Sequence, residues 1–310
     1  MPPIPTRRQL TVDAIYRAHE DQRGDSLRAH LGASVIGRRC ERELWYTFRW
    51  AFVRSIEGRV LRLFKRGQDA EAAFVSELRS IGVEVHQIDV ETGEQIRVEA
   101  CGGHFGGSLD GVGLGFAEAP KSWHVLEFKT HNEKSFNKLK SEGVATSKPE
   151  HCAQMQIYMH LTGIERAFYL AENKNTSELY SERIEYCRQT AEGLIAKAER
   201  IIRAQEAPER IGGPDWYECK LCDYQDVCHF GLAALRNCRT CLHSTPVEGG
   251  WQCERFSKML SVDEQKAGCS DQRYLPTLVG AEPTGVEGDN DITYNYWTDR
   301  GPGGEDPLPF

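Results

Sequence analysis

The chain has 310 residues, of which 40% are hydrophobic and 27% charged, and its net charge is −8 at pH 7. This composition supplies enough apolar material for a core and excludes a largely disordered chain. No apolar run reaches the roughly 18 residues of a membrane-spanning helix. The first ten residues are basic but lack an apolar segment, so we expect no secretory signal and a cytoplasmic location without a membrane partner.

The negative charge is concentrated near the C-terminus. Residues 277–310 hold seven acids and one base, Arg300, whereas the other residues hold 39 acids and 37 bases. The same segment is rich in glycine and proline and has little apolar periodicity, which predicts an acidic flexible tail over 277–310. The nearly neutral remainder has basic stretches over 54–66 and 129–148, which can bind a phosphate backbone locally.

Hydrophobic periodicity predicts helices that alternate with strands. Helices are predicted over 38–52, 57–80, 147–163 and 190–205, a strand meander over 83–129 and a further strand over 167–170. Ser147 and Glu150 have the spacing of a capping box, and Gly163 is a plausible C-cap. This order predicts an α/β fold in which a mixed sheet is flanked by helices.

A carboxylate and a lysine are predicted to project side by side from the segment 124–130. Side chains alternate along a strand, so Glu127 and Lys129 share one face. Upstream, Asp110 lies in a glycine-flanked strand or turn. Two carboxylates on neighbouring strands suit Mg²⁺ or Mn²⁺, and a nearby lysine can stabilise developing negative charge. Two carboxylates, a metal ion and a lysine are the groups that metal-assisted phosphodiester hydrolysis uses. A Glu-x-Lys pair on an exposed strand is, however, more often a solvated cross-strand pair.

Three more residues complete a known pattern. Glu71 lies in the first long predicted helix, and Gln154 and Tyr158 are four residues apart on one helix face. In this order the residues resemble the PD-(D/E)XK nuclease superfamily, in its RecB-like branch, across residues 67–158. Many relatives have histidine where Glu71 stands, but a carboxylate ligand suits Mg²⁺ or Mn²⁺ equally well.

The resemblance implies a restriction-endonuclease-like fold and a role for each residue of the pattern. Lys129 would be catalytic, and Gln154 and Tyr158 would support the DNA strand near the site. The implied ligands of Mg²⁺ or Mn²⁺ are Glu71, Asp110, Glu127 and the backbone carbonyl of Phe128.

Eleven cysteines in a reducing compartment favour metal sites over disulfides. Cys219, Cys222 and Cys228 have a compact ligand spacing, and Cys40 is the natural fourth ligand. One upstream and three downstream cysteines around these motifs resemble the RecB-like iron–sulfur exonucleases, which include CRISPR-adaptation nucleases and AddB-type helicase–nucleases. The resemblance implies a [4Fe–4S] cluster on these four cysteines that acts as a structural staple. A zinc site with the same ligands, or with His229 replacing one, is the alternative.

A second set of four cysteines suits structural zinc. Its members are Cys238, Cys241, Cys253 and Cys269. His243 is a competing ligand, and the segment 236–276 is too short to bury a core without a metal. The remaining cysteines, Cys101, Cys152 and Cys187, are predicted to be small core residues.

Basic residues beside Cys40 and after Lys129 are candidates for contact with DNA, although such charge runs are usually solvated faces. The candidates are Arg38, Arg39, Arg42, Lys134, Lys138 and Lys140. The aromatic residues Trp45, Tyr46 and Trp50 can stack on bases, but a packed core is their expected location.

The last residues resemble the C-terminal tip of bacterial single-stranded DNA-binding proteins. That resemblance implies that Asp306, Leu308, Pro309 and Phe310 dock into a basic, apolar pocket on a replication or repair protein.

The sequence thus predicts a metal-dependent DNA exonuclease of recombination, repair or replication, in a compact layout that fits a bacteriophage or mobile element. The predicted organisation is a nuclease domain over 1–235, a zinc module over 236–276 and a tail over 277–310. One alternative is a nuclease fold that binds DNA or an assembly partner without cutting. Another is an adaptation-type nuclease that trims DNA within a larger complex.

Overall fold

A computed structural model describes residues 9–24 and 27–278, and the backbone of 282–287 and 291–295. The helices are α1 (Leu10–Asp21), α2 (Glu41–Phe48), α3 (Gly58–Ser80), α4 (Glu133–Ser147), α5 (Pro149–Thr162), α6 (Arg188–Arg203), α7 (Tyr217–Lys220), α8 (Gln225–His229) and α9 (Val262–Ala267). The strands are β1 (Leu31–Gly32), β2 (Glu84–His86), β3 (Arg97–Ala100), β4 (Phe105–Ser108), β5 (Gly111–Leu114), β6 (His124–His131), β7 (Arg166–Asn173), β8 (Leu179–Glu185), β9 (Ser244–Val247), β10 (Gly250–Cys253), β11 (Lys258–Leu260), β12 (Glu282–Glu287) and β13 (Asp291–Asn295).

The chain divides into two compact units, and each contains two separate stretches of sequence. Residues 1–39 and 53–202 form the first unit, and residues 40–52 and 203–310 form the second. These boundaries differ from the predicted ones at 235 and 276, since residues 40–52 group with the cysteine-rich half of the chain rather than with the sheet.

The first unit is built on a mixed five-stranded sheet in the order β2-β5-β6-β7-β8. Strands β6 and β7 are parallel, and the other neighbours are antiparallel. A smaller sheet has the order β1-β4-β3. The predicted meander is therefore divided between two sheets, because the chain reverses through positive φ angles at Cys101, Gly102 and Gly103 and pairs β4 with β3 instead of with β5. The α/β class with a mixed sheet and flanking helices agrees with the prediction.

One face of the main sheet packs against α3. Leu126 and Phe128 of β6 project into this core, where the rings of Phe74 and Phe128 lie 5.3 Å apart. The rings of Phe116 and Phe168 stack at 4.2 Å in the same cluster. Because neighbouring side chains on β6 alternate, this packing sends Glu127 and Lys129 to the opposite face.

Helix α5 begins two residues later than predicted, at Pro149. The capping-box prediction was wrong, because Ser147 is the last residue of α4 and its hydroxyl donates to the Gly143 carbonyl at 2.6 Å. Proline suits a first helical position because it needs no hydrogen-bond acceptor there. The C-cap prediction is confirmed, since Gly163 has the left-handed φ of 72°.

The second unit surrounds a buried cluster of tryptophan and arginine side chains. Trp45, Tyr46 and Trp50 are buried, as the sequence predicts. The guanidinium of Arg239 lies 3.7 Å from the ring centre of Trp50, and that of Arg49 lies 5.1 Å from the ring centre of Trp45. These cation–π contacts within the unit explain why residues 40–52 group with residues 203–310 rather than with the main sheet.

The two buried arginines donate mainly to carbonyl oxygens, and the Nε of Arg49 has no acceptor among the described residues. Arg49 donates to the carbonyls of Arg239 and Ala204, at 3.1 and 2.9 Å. Arg239 donates to the Phe48 carbonyl at 3.0 Å and to the Gln265 side chain at 2.9 Å. Burial lowers the pKa of Arg49 to about 10 and that of Arg239 to about 9. Both remain charged at neutral pH, which makes this core depend on exact hydrogen-bond geometry.

The cysteine-rich region carries short strands. Strands β9, β10 and β11 form an antiparallel sheet in the order β11-β10-β9. Within the predicted tail, the described backbone contains the antiparallel pair β12 and β13, which the sequence does not predict. The candidate partner-binding residues Asp306, Leu308, Pro309 and Phe310 lie outside the described residues. Among the helices of the described ranges, none combines the length and apolar character needed to cross a bilayer.

Candidate active site

Strand β6 presents Glu127 and Lys129 on one face, as the sequence predicts. The Glu127 side chain is fully buried, and the Lys129 side chain is 29% exposed. The Lys129 ammonium pairs with the Glu127 carboxylate and donates to the Phe128 carbonyl at 3.0 Å. Lys129 is therefore held between the buried carboxylate and the backbone oxygen that the family resemblance implies as a metal ligand.

Asp110 is held beside these residues by the backbone of β6. The Phe128 N–H donates to Asp110 Oδ2 at 2.7 Å. The Gln87 side-chain amide donates to the Asp110 carbonyl at 3.2 Å, which fixes the turn from the other side. The next residue, Gly111, pairs with Leu126 in the β5–β6 ladder. Sheet register therefore places Asp110, which immediately precedes β5, beside the part of β6 that carries Glu127.

Glu71 approaches the same group from α3. Its pKa is raised by partial burial and by the nearby Asp110 carboxylate, and Lys129 opposes the rise. Since such effects fade over short distances, the shift means that Glu71 lies within electrostatic range of both residues. Glu71 therefore influences the charges of Asp110, Glu127 and Lys129, which the sheet holds together.

The electrostatics of the group are those of crowded acids. Burial raises the pKa of Glu127 to about 7, with a further rise from Asp110, while Lys129 lowers it. Burial also raises the pKa of Asp110, against the effects of Lys129 and of the Phe128 N–H. Burial lowers the pKa of Lys129, but the Glu127 and Asp110 carboxylates outweigh it and the net direction is upward. The positive charge of Lys129 is therefore stabilised by three nearby carboxylates, those of Glu127, Asp110 and Glu71.

The donor set fits a hard divalent cation. Glu127 Oε1 pairs with the Lys129 ammonium, whereas Oε2 is buried and accepts no hydrogen bond within the part of the chain that the structure describes. A buried carboxylate oxygen without a donor is costly, and a cation with oxygen ligands relieves that cost. No group of three or more acidic, histidine or cysteine side chains in the described ranges is closed around a metal-sized position.

Gln154 and Tyr158 link α5 to the strand that leads to Asp110. The Gln154 amide donates to the Tyr158 hydroxyl at 3.2 Å, and that hydroxyl donates to the Ser108 carbonyl at 2.9 Å. A Cβ on Gly107 would lie 2.5 Å from the Tyr158 hydroxyl, so this close approach requires glycine. Burial, followed by the Glu127 charge, raises the pKa of Tyr158. These contacts are internal to the fold, and the DNA-supporting role remains a prediction.

The first four cysteines come within electrostatic range of one another. Cys40 caps α2, where its sulfur accepts the Glu43 N–H at 3.4 Å. Burial raises the pKa of Cys222 to about 12, and Cys40 and Cys228 add to the rise. Burial, and then Cys40 and Cys228, raise the pKa of Cys219. This mutual effect suits a cationic centre, because a bound cation favours the thiolate.

The second cysteine set shows the same behaviour. Burial raises the pKa of Cys238 to about 11, with smaller rises from Cys241, Cys269 and Cys253. The three-stranded sheet β11-β10-β9 carries Cys253 at the end of β10. All eleven cysteines are free of disulfides.

Among the remaining cysteines, the core prediction was wrong for Cys187. It is exposed at the beginning of α6, where the Thr190 hydroxyl donates to its sulfur at 3.2 Å. Cys101 and Cys152 are only partly buried. On the same helix as Cys152, Met155 and Met159 are buried.

Several candidate DNA-binding residues are engaged with protein groups. Arg42 donates to the Tyr46 hydroxyl at 2.9 Å and to the Pro208 carbonyl at 2.9 Å. Arg38 pairs with Glu150 at 3.7 Å. The predicted lysine strip lies on α4, where Lys138 pairs with Glu142, Lys140 with Glu178, and Lys134 is exposed. Arg39 is exposed just before Cys40.

A second polar group on the Glu127 face was missed by the sequence analysis. The Tyr169 hydroxyl lies 2.9 Å from His131 Nε2 and 2.9 Å from His151 Nδ1. Tyr169 stands opposite Glu127 in the β6–β7 ladder. His131 is two residues beyond Lys129 on the same strand face, which is the signal that would have found it.

Comparison with known proteins gives a low structural similarity. No family model and no curated protein matches the chain. LHK-Exo, an alkaline exonuclease from Laribacter hongkongensis, is 17% identical in its complex with dAMP, with a TM-score of 0.41, covering 61% of this chain and 89% of that chain. The protein SSO0001 is 16% identical, with a TM-score of 0.40, covering 70% of this chain and 96% of that chain. Similarity at this level does not establish a family or an activity for this chain.

Proposed function

We propose that the protein is a metal-dependent DNA exonuclease of the PD-(D/E)XK type. The observation that carries the proposal is the fully buried Glu127 carboxylate, which pairs with the Lys129 ammonium beside Asp110 and whose Oε2 accepts no hydrogen bond from the described residues. Ionising a carboxylate in this setting costs free energy, and acids perturbed in this way are concentrated at functional sites. The oxygen donors of this site suit Mg²⁺ or Mn²⁺.

Each residue of the site has a distinct task in this proposal. Glu71, Asp110, Glu127 and the Phe128 carbonyl would hold the ion, which when bound supplies Lewis-acid activation of the phosphate and of water. The Phe128 N–H keeps the Asp110 carboxylate oriented, at 2.7 Å from Oδ2. Lys129 places a positive charge where charge develops on the phosphate oxygens. Gln154 and Tyr158 would support the DNA strand at the edge of the site.

Cleavage of end-labelled DNA tests the activity. The protein should degrade linear single-stranded or double-stranded DNA in Mn²⁺ and lose this activity in chelator. A covalently closed circle of the same sequence should survive, because an exonuclease needs an end. Asp110→Asn should lose activity, whereas Glu77→Gln, on the exposed surface of α3, should retain it. Retained binding without any cleavage would favour the non-cleaving module, and normal cutting by Asp110→Asn would contradict the site assignment.

We also propose that the two cysteine sets hold metal centres. Cys40, Cys219, Cys222 and Cys228 would bind a [4Fe–4S] cluster, and Cys238, Cys241, Cys253 and Cys269 would bind zinc. Within each set the other cysteines add to the pKa rise that burial causes, and this charge effect between nearby thiols supports the proposal. Iron, sulfide and zinc should be measured in protein purified without oxygen.

A pair of cysteine variants separates the two kinds of site. Cys40→Ser should lose iron and visible absorbance but keep zinc, and Cys187→Ser, which alters an exposed thiol outside both sets, should keep both metals. Full iron content in Cys40→Ser would remove Cys40 from the ligand set, and zinc in place of iron would turn the first site into a zinc site.

The biological setting is part of the same proposal. A compact nuclease with a host-interaction tail suits a bacteriophage or mobile element that processes DNA ends in recombination, repair or replication. Deletion of Leu308, Pro309 and Phe310 should abolish binding to the pocket of a replication or repair protein that accepts such tips. Unchanged binding would exclude that role for the tail.

A further inference from the structure

The Glu127 face carries a continuous chain of polar side chains beyond Lys129. We call this chain the relay, and it consists of Lys148, Ser135, His131, Tyr169 and His151. The Lys148 ammonium donates to Ser135 Oγ at 2.7 Å, and Ser135 Oγ lies 3.2 Å from His131 Nδ1. His131 Nε2 and His151 Nδ1 each lie 2.9 Å from the Tyr169 hydroxyl.

The ammonium group at one end sets the direction of the hydrogen bonds. Lys148 can only donate, so Ser135 Oγ accepts from it and turns its own hydrogen toward His131 Nδ1. His131 then donates from Nε2 to the Tyr169 hydroxyl, and that hydroxyl donates to His151 Nδ1. His151 is thereby held with its proton on Nε2, the ring atom that the relay does not use.

His151 stands next to the proposed active site. It lies three residues before Gln154 and seven before Tyr158 on α5, so the three side chains share one helix face. Tyr169 stands opposite Glu127 in the ladder, and the Glu127 charge, after burial, raises the pKa of Tyr169. The relay therefore begins at the end of α4 and ends at the edge of the carboxylate group.

The surroundings favour an anion at His151. Burial lowers the pKa of His151 to about 3, and Lys129, His131 and Lys148 lower it further, so the ring is neutral at working pH. Lys174 joins Lys148 and Lys129 around His131. A neutral N–H donor between ammonium groups is suited to a phosphate oxygen, because it orients the anion without competing for the metal.

We propose that the relay fixes His151 as a neutral Nε2–H donor that binds a non-scissile phosphate oxygen of the nucleic-acid strand entering the Glu127–Asp110 site. This inference rests on the proposed nuclease function, and it adds a phosphate subsite to it. His151 is a substrate-binding residue here, and Tyr169, His131 and Ser135 are positioning residues that act through it.

The tautomer is tested first, in the full-length protein labelled with ¹⁵N. Long-range ¹H–¹⁵N spectra should show His151 protonated on Nε2 and unprotonated on Nδ1, and Tyr169→Phe should disturb that pattern by removing the donor to Nδ1. A proton on Nδ1 of His151 in the unaltered protein would overturn the proposal, since the ring would then offer a lone pair to the phosphate.

Binding is tested second, with a dye-labelled single-stranded oligonucleotide in Ca²⁺, by fluorescence anisotropy. His151→Phe should weaken binding about 10-fold, the loss of roughly one good hydrogen bond to a charged group. His151→Gln, whose amide nitrogen can take the place of Nε2, should bind within about 2-fold of the unaltered protein. In Mn²⁺ turnover, the His151→Phe loss should appear in KM more than in kcat.

His160→Phe is the matched control, because His160 lies on the same helix and bonds a tyrosine hydroxyl, that of Tyr186, at 2.7 Å. It should leave oligonucleotide binding unchanged. Equal binding by His151→Phe and the unaltered protein would refute the subsite even if cleavage occurs. Absence of cleavage by the unaltered protein, with the His151 effect on binding intact, would instead refute the nuclease activity alone.

Discussion

The clearest physical prediction concerns the cost of the buried Glu127 carboxylate. We expect Glu127→Gln to abolish cleavage and at the same time to stabilise the metal-free protein at alkaline pH. The substitution keeps the size of the side chain and removes the charge that burial and the Asp110 carboxylate oppose. Activity and stability should therefore change in opposite directions at this position.

The magnitude follows from the pKa of Glu127. Its ordinary value of 4.5 is raised to about 7 in the folded protein. Below the ordinary value the acid is protonated in both the folded and the unfolded states. As pH rises through this window the unfolded chain ionises first, so the folded state loses stability and the loss levels off above the folded pKa. The full difference amounts to about 3 kcal/mol.

Thermal and urea unfolding in chelator, between pH 5 and 8, measure this effect. The unaltered protein should lose up to about 3 kcal/mol across the window, which is roughly 6–12 °C in melting temperature for a unit of this size. Glu127→Gln should remove most of that slope, and Glu77→Gln, an exposed acid on α3, should leave it in place. Mn²⁺ should stabilise the unaltered protein more at pH 8 than at pH 5, because ligands must be deprotonated.

Two results would refute the reasoning. If Glu127→Gln and the unaltered protein have the same pH dependence of stability in chelator, the fold does not raise the pKa of Glu127. If Glu127→Gln is less stable at every pH, its ion pair with Lys129 contributes more than the burial of the carboxylate costs.

Three further predictions concern packing and surface charge. Gly107→Ala should lower the free energy of unfolding by about 1–3 kcal/mol, because the new methyl meets the Tyr158 hydroxyl; a urea titration that shows no loss would mean that α5 shifts freely. Arg239→Lys should destabilise the protein by about 3 kcal/mol, since an ammonium cannot reproduce the planar contacts and separate hydrogen bonds of the buried guanidinium; calorimetry with an unchanged melting temperature would contradict this. Alanine at both Lys140 and Glu178 should cost about 1 kcal/mol or less because the pair is exposed, and a larger loss in urea would reveal a structural role.

Sequence reasoning could place the site because its residues follow strong local patterns. The alternation along β6 fixes the face shared by Glu127 and Lys129, and the four-residue spacing fixes that of Gln154 and Tyr158. The mixed α/β class follows from the order of periodic segments. These features depend on neighbouring residues, which a sequence records directly.

The remaining features depend on long-range contacts. Arg49 and Arg239 are buried together although they are far apart in the sequence, and no local pattern marks a buried arginine as part of a core. Ser147 has the spacing of a cap but belongs to the preceding helix, since the break before Pro149 decides where α5 begins. His151 and Tyr169 lie on different elements, and only the fold shows that they share a hydrogen bond.

The interleaved division of the chain has a consequence for its synthesis on the ribosome. Residues 40–52 belong to a unit whose other part begins at residue 203. Translation takes roughly 10–30 s to add the intervening ~150 residues. During that interval Trp45 and Phe48, which are buried in the finished protein, wait on the nascent chain without the residues that cover them. The sheet with Glu127 can form before they are covered, and no single cut in the chain separates the two units.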